Sequence, residues 1–424
     1  MQHIKGGKGE RDALFMNAET PRPTPGEGQA LVRIKAFGIN RMDIIQRRGN
    51  YPLPPQAPKT LGVEFSGVVE AFGAGDHGVF RAGDEVLGLA YGGAYAEYIA
   101  VSSKMLIHKP HALSWEQAAA VPETWITATQ ALHKVLGFAR GKSILWHAGA
   151  SGVSIAGIQL SRLAGASAVY ATAGTDDKCR FVTETLGADA AFNYKTGNWA
   201  DGVRDATAGR GVDFIVDFVG GSYFQQNQDA AARDCRIVLL GTLGGGKVPD
   251  ADISQILFKR IRIEGSTLRS RDEDYQGELR DKLETYLPDF ESGKLKIILD
   301  KILPWEDIQE AHKYMEDAKN SGKIWYFKAS ELTVGHAGIH LDLVLEIRAG
   351  HGVLARGAHR IREQRVVLDA DQAQGHLQVL EVVRHDRRRV RHGTGLDVRA
   401  LLQGARLLVA GGAVTLSLRL LREQ

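Results

Sequence analysis

The sequence predicts an α/β protein in which a β-rich N-terminal domain precedes a doubly wound parallel sheet. Three observations carry that prediction. Short apolar runs separated by Gly-containing turns fill the chain up to about residue 115. From Ser114 onward strands alternate with helices, the order that builds a parallel sheet. Near that change lies 143–160, a short apolar run that enters a turn of small residues and leaves as a helix.

Taken in order, 30–36 alternates sides as a half-buried strand does, and it follows the turn Pro25-Gly26-Glu27-Gly28. Strands are predicted over 62–72 and 83–89, with Gly73, Gly75 and Gly78 in the loop between them, and a turn and strand over 92–99. Ser114-Trp115-Glu116-Gln117 has the spacing of a capping box. Strands at 144–147, 168–173, 190–194, 214–218, 237–240 and 261–265 follow, with helices at 153–164 and 178–186. The helix at 153–164 places Val153, Ala156, Leu160 and Leu163 near one face. A last helix is expected over 305–318.

The composition breaks after about residue 324. From Glu331 to Gln424 there is no Lys, Pro, Phe, Trp, Tyr, Met, Cys or Asn. A stretch without aromatics has few bulky groups for a core, so 326–424 is expected to be poorly ordered, with local helix at 399–408. It reads either as a natural Arg-rich tail or, as we prefer, as an out-of-frame or retained non-coding segment of a GC-rich gene. Its run Arg387-Arg388-Arg389 is the one place that invites nucleic acid. A net charge of +3 over 424 residues is too small to make nucleic acid the main partner. Two cysteines, Cys179 and Cys235, exclude a disulfide scaffold and a four-cysteine zinc site. With no apolar run of spanning or signal-peptide length, a cytoplasmic protein with no membrane partner is expected.

The turn in 143–160 carries the first chemistry. A strand feeding a small-residue turn and a helix N-terminus presents backbone N–H groups and partial positive charge to a phosphate. Measured against G-x-G-x-x-G, the positions read Gly149-Ala150-Ser151-Gly152-Val153-Ser154. Serines stand where the second and third glycines are usual, so Ser154 must displace the helix slightly or lodge its hydroxyl. The next strand ends in Ala173-Gly174-Thr175, where readers of NAD carry an acid for the ribose hydroxyl. A small neutral pocket with Lys178 one turn on suits a 2′-phosphate, hence NADPH. Asp176 and Asp177 are expected to point outward from a helix N-terminus, where acids are favoured.

An ordered set of motifs then gives the chain a resemblance. Gly38-Ile39-Asn40-Arg41-Met42-Asp43, Gln46-Arg47-Arg48-Gly49-Asn50-Tyr51, Leu61-Gly62-Val63-Glu64-Phe65-Ser66-Gly67 and Ala118-Ala119-Ala120-Val121-Pro122-Glu123-Thr124-Trp125 belong to it. So do Phe192-Asn193-Tyr194-Lys195, Gly220-Gly221-Ser222-Tyr223-Phe224, Ser266-Thr267-Leu268-Arg269-Ser270-Arg271 and Glu310-Ala311-His312-Lys313-Tyr314-Met315-Glu316. Over 1–324 the chain resembles the zinc-free quinone oxidoreductases of the medium-chain dehydrogenase/reductase superfamily, of the p53-inducible type. The resemblance does not extend into the tail.

The resemblance implies a GroES-like catalytic domain over 1–118, to which 285–325 returns, and a Rossmann NADPH-binding domain over 119–284. It implies NADPH held by Thr127, Gly149, Ala150, Ser151, Gly152, Val153, Gly174, Thr175, Lys178, Tyr194, Gly241, Leu243, Ser266 and Leu268. Asn40 and Tyr51 would line the cleft, and Tyr51 either donates a proton or only shapes the rim. Zinc relatives hold their metal with Cys and a Gly-His-Glu segment; here those places read Asn40-Arg41-Met42-Asp43 and Gly62-Val63-Glu64, which lack the ligands. The expected activity is NADPH-dependent reduction of quinones or related conjugated carbonyls. The alternatives are an enoyl-thioester reductase and a non-catalytic NADPH-binding or RNA-binding protein. The alternating strand near 260–265 implies a homodimer. His147 reads as a packed histidine, His108 and His312 as surface residues, and both cysteines as inert thiols.

Overall fold

The computed structural model describes residues 3–6, 9–327, 341–344, 364–371, 376–384 and 393–396. The chain divides into two compact units, Met1–Ser330 and Glu331–Gln424.

In the first unit, β1 (His3–Gly6) and β2 (Leu14–Asn17) form an antiparallel ribbon. Next come β3 (Gln29–Gly38), helix α1 (Arg41–Arg47), β4 (Glu64–Phe72), β5 (Glu85–Leu89), β6 (Tyr98–Ser102) and β7 (Leu106–His108). β3 is central, pairing antiparallel with β4 and β6, and it turns Arg33 and Lys35 away from an otherwise buried run. The strand expected over 92–99 begins only at Tyr98. The N–H groups of Gly93, Ala94 and Tyr95 bond instead to carbonyls of residues 60–62, which draws that backbone out of the ladder.

The chain then leaves this sheet through α2 (Trp115–Ala119) and α3 (Pro122–Thr129). The capping box forms: the Gln117 N–H donates to Ser114 Oγ at 3.2 Å, and the Ser114 N–H donates to Gln117 Oε1 at 2.9 Å. Alternation follows as β8 (Ser143–Trp146), α4 (Gly152–Leu163), β9 (Ala168–Ala173), α5 (Asp176–Arg180), β10 (Ala190–Asn193) and α6 (Trp199–Ala206). Then come β11 (Val212–Asp217), α7 (Phe224–Ala230), β12 (Ala231–Leu239), α8 (Ser254–Lys259) and β13 (Arg262–Gly265). The six strands are parallel in the order β10-β9-β8-β11-β12-β13. Strand order reverses between β8 and β11, which opens a crevice at their C-terminal ends, where ligands bind in such sheets. Ile144, Leu145, Trp146, Ile215 and Val216 are fully buried, as strands covered on both faces must be.

Helices α9 (Glu273–Glu284) and α10 (Leu287–Glu291) lead to β14 (Leu299–Pro304), α11 (Ile308–Glu316) and β15 (Lys323–Phe327). β14 and β15 pair in parallel, and β15 pairs antiparallel with β3, setting Trp325 opposite Gly38. The chain therefore closes back on its first sheet. In the second unit, β16 (Leu341–Val344), β17 (Gln364–Asp371), β18 (His376–Arg384) and β19 (Gly393–Leu396) form an antiparallel sheet. The segments 387–389 and 399–408 lie outside the described residues.

Candidate active site

The small-residue turn joins β8 to α4 at the strand-order reversal. Ala148 adopts a left-handed φ of 50°, and the Gly149 N–H donates to the Thr172 carbonyl of β9 at 2.7 Å. A Cβ on Gly149 would lie 2.8 Å from that of Ala171, so the turn sits hard against β9. Ser151 is the N-cap of α4 and accepts from the Ser154 N–H at 3.4 Å. The Ser154 hydroxyl lodges inward, donating to the His147 carbonyl at 2.7 Å. The two serines thus close the strand end and the helix start, while the first-turn N–H groups of Gly152 and Val153 have no intrahelical carbonyl to meet. Close packing of helix on strand falls one turn later, at Gly157. A Cβ there would overlap the Trp146 ring, whose Nε1 donates to Ser161 Oγ at 3.0 Å.

At the end of β9, Gly174 faces Tyr194. The Tyr194 hydroxyl lies 2.6 Å from where a Gly174 Cβ would be, and the Tyr194 N–H bonds to the Ala173 carbonyl at 3.1 Å. Thr175 caps α5, accepting from the Lys178 N–H at 3.2 Å. Lys178, one turn into α5, donates from Nζ to the carbonyls of Ala318 and Asn320 at 2.8 and 2.7 Å, which ties the ammonium to that segment. Asp177 points to solvent beside Arg180, and Asp176 accepts from Asn193 Nδ2 at 2.7 Å. No acid stands at 173–175.

Across the crevice, the Leu243 N–H donates to the Phe218 carbonyl at 3.0 Å, and the Leu243 side chain is exposed. Gly241 lies close to that same carbonyl. The Ser266 N–H bonds to the Leu239 carbonyl at 3.0 Å. Leu268 is drawn into the core, so its side chain is packing, and its carbonyl accepts from the Arg271 N–H at 3.0 Å and from Gln276 Nε2 at 2.9 Å. The hydroxyls of Thr127, on α3, and of Ser266 are buried with no partner. Unpartnered buried hydroxyls are costly and point to groups that a ligand completes. His147 is packed: its ring meets Thr172 Oγ1 at 2.9 Å and Asn227 Oδ1 at 2.7 Å, and Asn227 Nδ2 donates to Asp217 at 2.8 Å. Burial pushes the imidazole below its usual pKa.

Beneath this rim lies a buried charge cluster. Asn40 Nδ2 donates to Glu64 Oε1 at 2.8 Å, and Lys323 Nζ donates to Asn40 Oδ1 at 2.5 Å and pairs with Glu64. Both ends of the Asn40 amide are therefore engaged within the protein. The other Glu64 oxygen accepts from the Glu123 N–H at 2.9 Å. Asp43 accepts from the N–H groups of Asn40 and Gly62 at 2.8 and 3.1 Å and from the Tyr95 hydroxyl at 3.2 Å. Burial pushes the Asp43 carboxyl up to about 6, against those bonds. Tyr51 lies over the Arg269 guanidinium, 5.3 Å from ring centre to Cζ. Burial and the Glu123 charge raise its phenol. Arg269 is itself buried, held by the Tyr91 carbonyl at 2.6 Å and Gln46 Oε1 at 2.8 Å, with Nη2 unpartnered.

His312 does not lie on the surface as its sequence context suggests. It is fully buried on α11, with Arg47 on one ring nitrogen at 3.0 Å and Tyr95 on the other at 3.1 Å. Burial and the Arg47 charge push it down to about 3, so it stays neutral. Glu123 and Lys323 also belong to this cluster, and neither stands out in the sequence. Glu123 reads as an ordinary first-turn acid of a helix, and Lys323 meets Glu64 only because β15 returns to β3. Where a metal site of the zinc kind would lie, Val63 has no donor and the Asp43 and Glu64 carboxylates are occupied by the protein donors just described. Among the described residues, no group of three or more His, Cys, Asp or Glu side chains is placed to hold a metal.

Residues 26–111 match the family described as alcohol dehydrogenase GroES-like domain, and residues 152–284 match zinc-binding dehydrogenase. The chain is 28% identical to the quinone oxidoreductase of Pongo abelii over 306 residues, covering 72% of this chain and 90% of that one. Among solved structures, an NAD-dependent alcohol dehydrogenase is 32% identical with a TM-score of 0.68, covering 77% of this chain and 99% of that one. Mycobacterial Rv1454c complexed with NADPH is 27% identical with a TM-score of 0.69, covering 77% and 100%.

Proposed function

The chain belongs to the medium-chain dehydrogenase/reductase superfamily, and from that premise we propose that it is an NADPH-dependent, zinc-independent reductase of quinones or related conjugated carbonyls. The observation that carries the cofactor reading is the neutral end of β9, with Tyr194 over Gly174 and the anchored Lys178 ammonium one turn on. A 2′-phosphate would find a cation there and no acid at 173–175, with Asp176 held by Asn193 and Asp177 turned to solvent. The turn at Gly149, Ala150, Ser151, Gly152 and Val153 would hold the pyrophosphate. Thr127, Gly241, Leu243, Ser266 and the Leu268 backbone would hold the nicotinamide end, where the lone hydroxyls of Thr127 and Ser266 gain partners. NADPH supplies a hydride when bound.

The chemistry of the donor set supports a reaction without zinc. Asp43 and Glu64 are engaged by backbone, Tyr95, Asn40 and Lys323, and Val63 offers nothing. Alcohol oxidation needs the hydroxyl proton removed or the alkoxide stabilised, and in zinc dehydrogenases a Lewis acid does this. A quinone ring delocalises the arriving charge and needs only positioning, exclusion of water and a proton. β13 is the edge of the parallel sheet, and Leu257 and Phe258 of the neighbouring α8 are exposed. Both features suit a homodimer built on that edge. Among the described residues, no helix is long and apolar enough to cross a membrane.

The test is NADPH oxidation with a naphthoquinone or phenanthrenequinone against a crotonyl thioester. Quinone turnover is expected, with NADPH far ahead of NADH. Turnover of the thioester alone would make the protein an enoyl reductase, and tight NADPH binding without turnover would make it a binding protein.

A further inference from the structure

We propose that Glu123 is the general acid of this site, delivering the proton that completes reduction of the substrate. This inference rests on the reductase reading above. Glu123 stands second in α3, between the phosphate turn and the buried charge cluster. On one side, its neighbour Thr124 packs its methyl 2.8 Å from where a Gly152 Cβ would lie. On the other, its N–H is bonded to Glu64, which Lys323 and Asn40 hold in turn. Its backbone is therefore fixed at the junction of the two sheets.

Its carboxyl differs from the other two acids of the cluster. Asp43 and Glu64 each accept several hydrogen bonds, whereas no described residue donates one to the Glu123 carboxyl. Asn40 has both ends of its amide engaged and has no proton to give without losing a partner. Burial and the Glu64 charge push the Glu123 carboxyl up to about 7, with Lys323 and Arg269 opposing and Asp43 reinforcing. Tyr51 is the remaining titratable group facing it. A carboxyl in that range is part protonated at neutral pH, the condition for an efficient acid.

The step balances. With NADPH bound, its hydride would bring two electrons to the quinone. The oxygen left with negative charge takes the proton from the Glu123 O–H bond. Glu123 becomes a carboxylate, and solvent returns its proton. The products are hydroquinone and oxidised cofactor.

The test combines Glu123→Gln with two readouts. In the cofactor-free protein, infrared difference titration should show carboxylic acid bands lost as pH rises through about 6, from Asp43, and through about 7, from Glu123, and E123Q should lack the second while keeping the first. In quinone turnover, kcat of the wild type should fall above that pH. E123Q should be slower by about a hundredfold, with no such limb and unchanged NADPH affinity. If E123Q does not fold, Glu123→Asp should keep the falling limb with a lower kcat. Wild-type turnover matched by either variant in rate and pH profile would overturn the inference alone. A wild type inactive with both quinone and thioester would overturn the parent reading and this inference with it.

Discussion

Replacing Lys178 with Ala should weaken NADPH binding and leave NADH binding almost untouched. An ammonium carries three donors. Two of them are engaged by the carbonyls of Ala318 and Asn320 at 2.8 and 2.7 Å, so the side chain is held in place with one donor left for a phosphate oxygen. A hydrogen bond between charged groups contributes about 1.5–3 kcal/mol, or roughly ten- to hundredfold in Kd. Burial lowers the Lys178 pKa from its usual value. The charge is therefore lost at lower pH than in a free lysine, and the preference for NADPH should shrink as pH rises into the alkaline range. Fluorescence titration of both cofactors against wild type and Lys178→Ala measures the effect. NADH serves as the internal control, because any loosening of residues 318–320 would affect both ligands. Equal loss of both would refute the assignment of the β9 end to a 2′-phosphate.

Two further substitutions test how the site is built. Lys323→Met leaves Glu64 buried beside Glu123 and Asp43 without its cation, and should cost about 3–5 kcal/mol in denaturant unfolding. Adding Glu64→Gln should recover much of that, and no recovery would mean the pair is not coupled. Gly157→Ala drives a methyl into the Trp146 ring and should cost about 1–3 kcal/mol with a change in tryptophan emission; a neutral result would show that α4 can lift off β8 freely.

Features set by neighbours in the chain were legible in the sequence. The turn at Gly149 to Ser154, the capping box at Ser114 and the strands of the parallel sheet each follow from a few adjacent residues. The two serines of the turn proved to be local as well: one caps α4 and the other closes the end of β8. What escaped depends on distant partners. Gly157 is required by a tryptophan on β8, a separate element. His312 is buried because Arg47 and Tyr95, from far earlier in the chain, meet its ring. Lys323 reaches Glu64 across 259 positions, and no spacing rule connects them. Glu123 carries the normal signature of a helix start, so its pairing with Glu64 is visible only in the fold.

The most direct measurement is NADPH oxidation by a naphthoquinone before and after the protein is dialysed against a strong zinc chelator. Quinone-dependent oxidation is expected to favour NADPH over NADH and to survive dialysis unchanged. Activity that disappears with the chelator and returns with added zinc, or that prefers an alcohol with NAD, would contradict it.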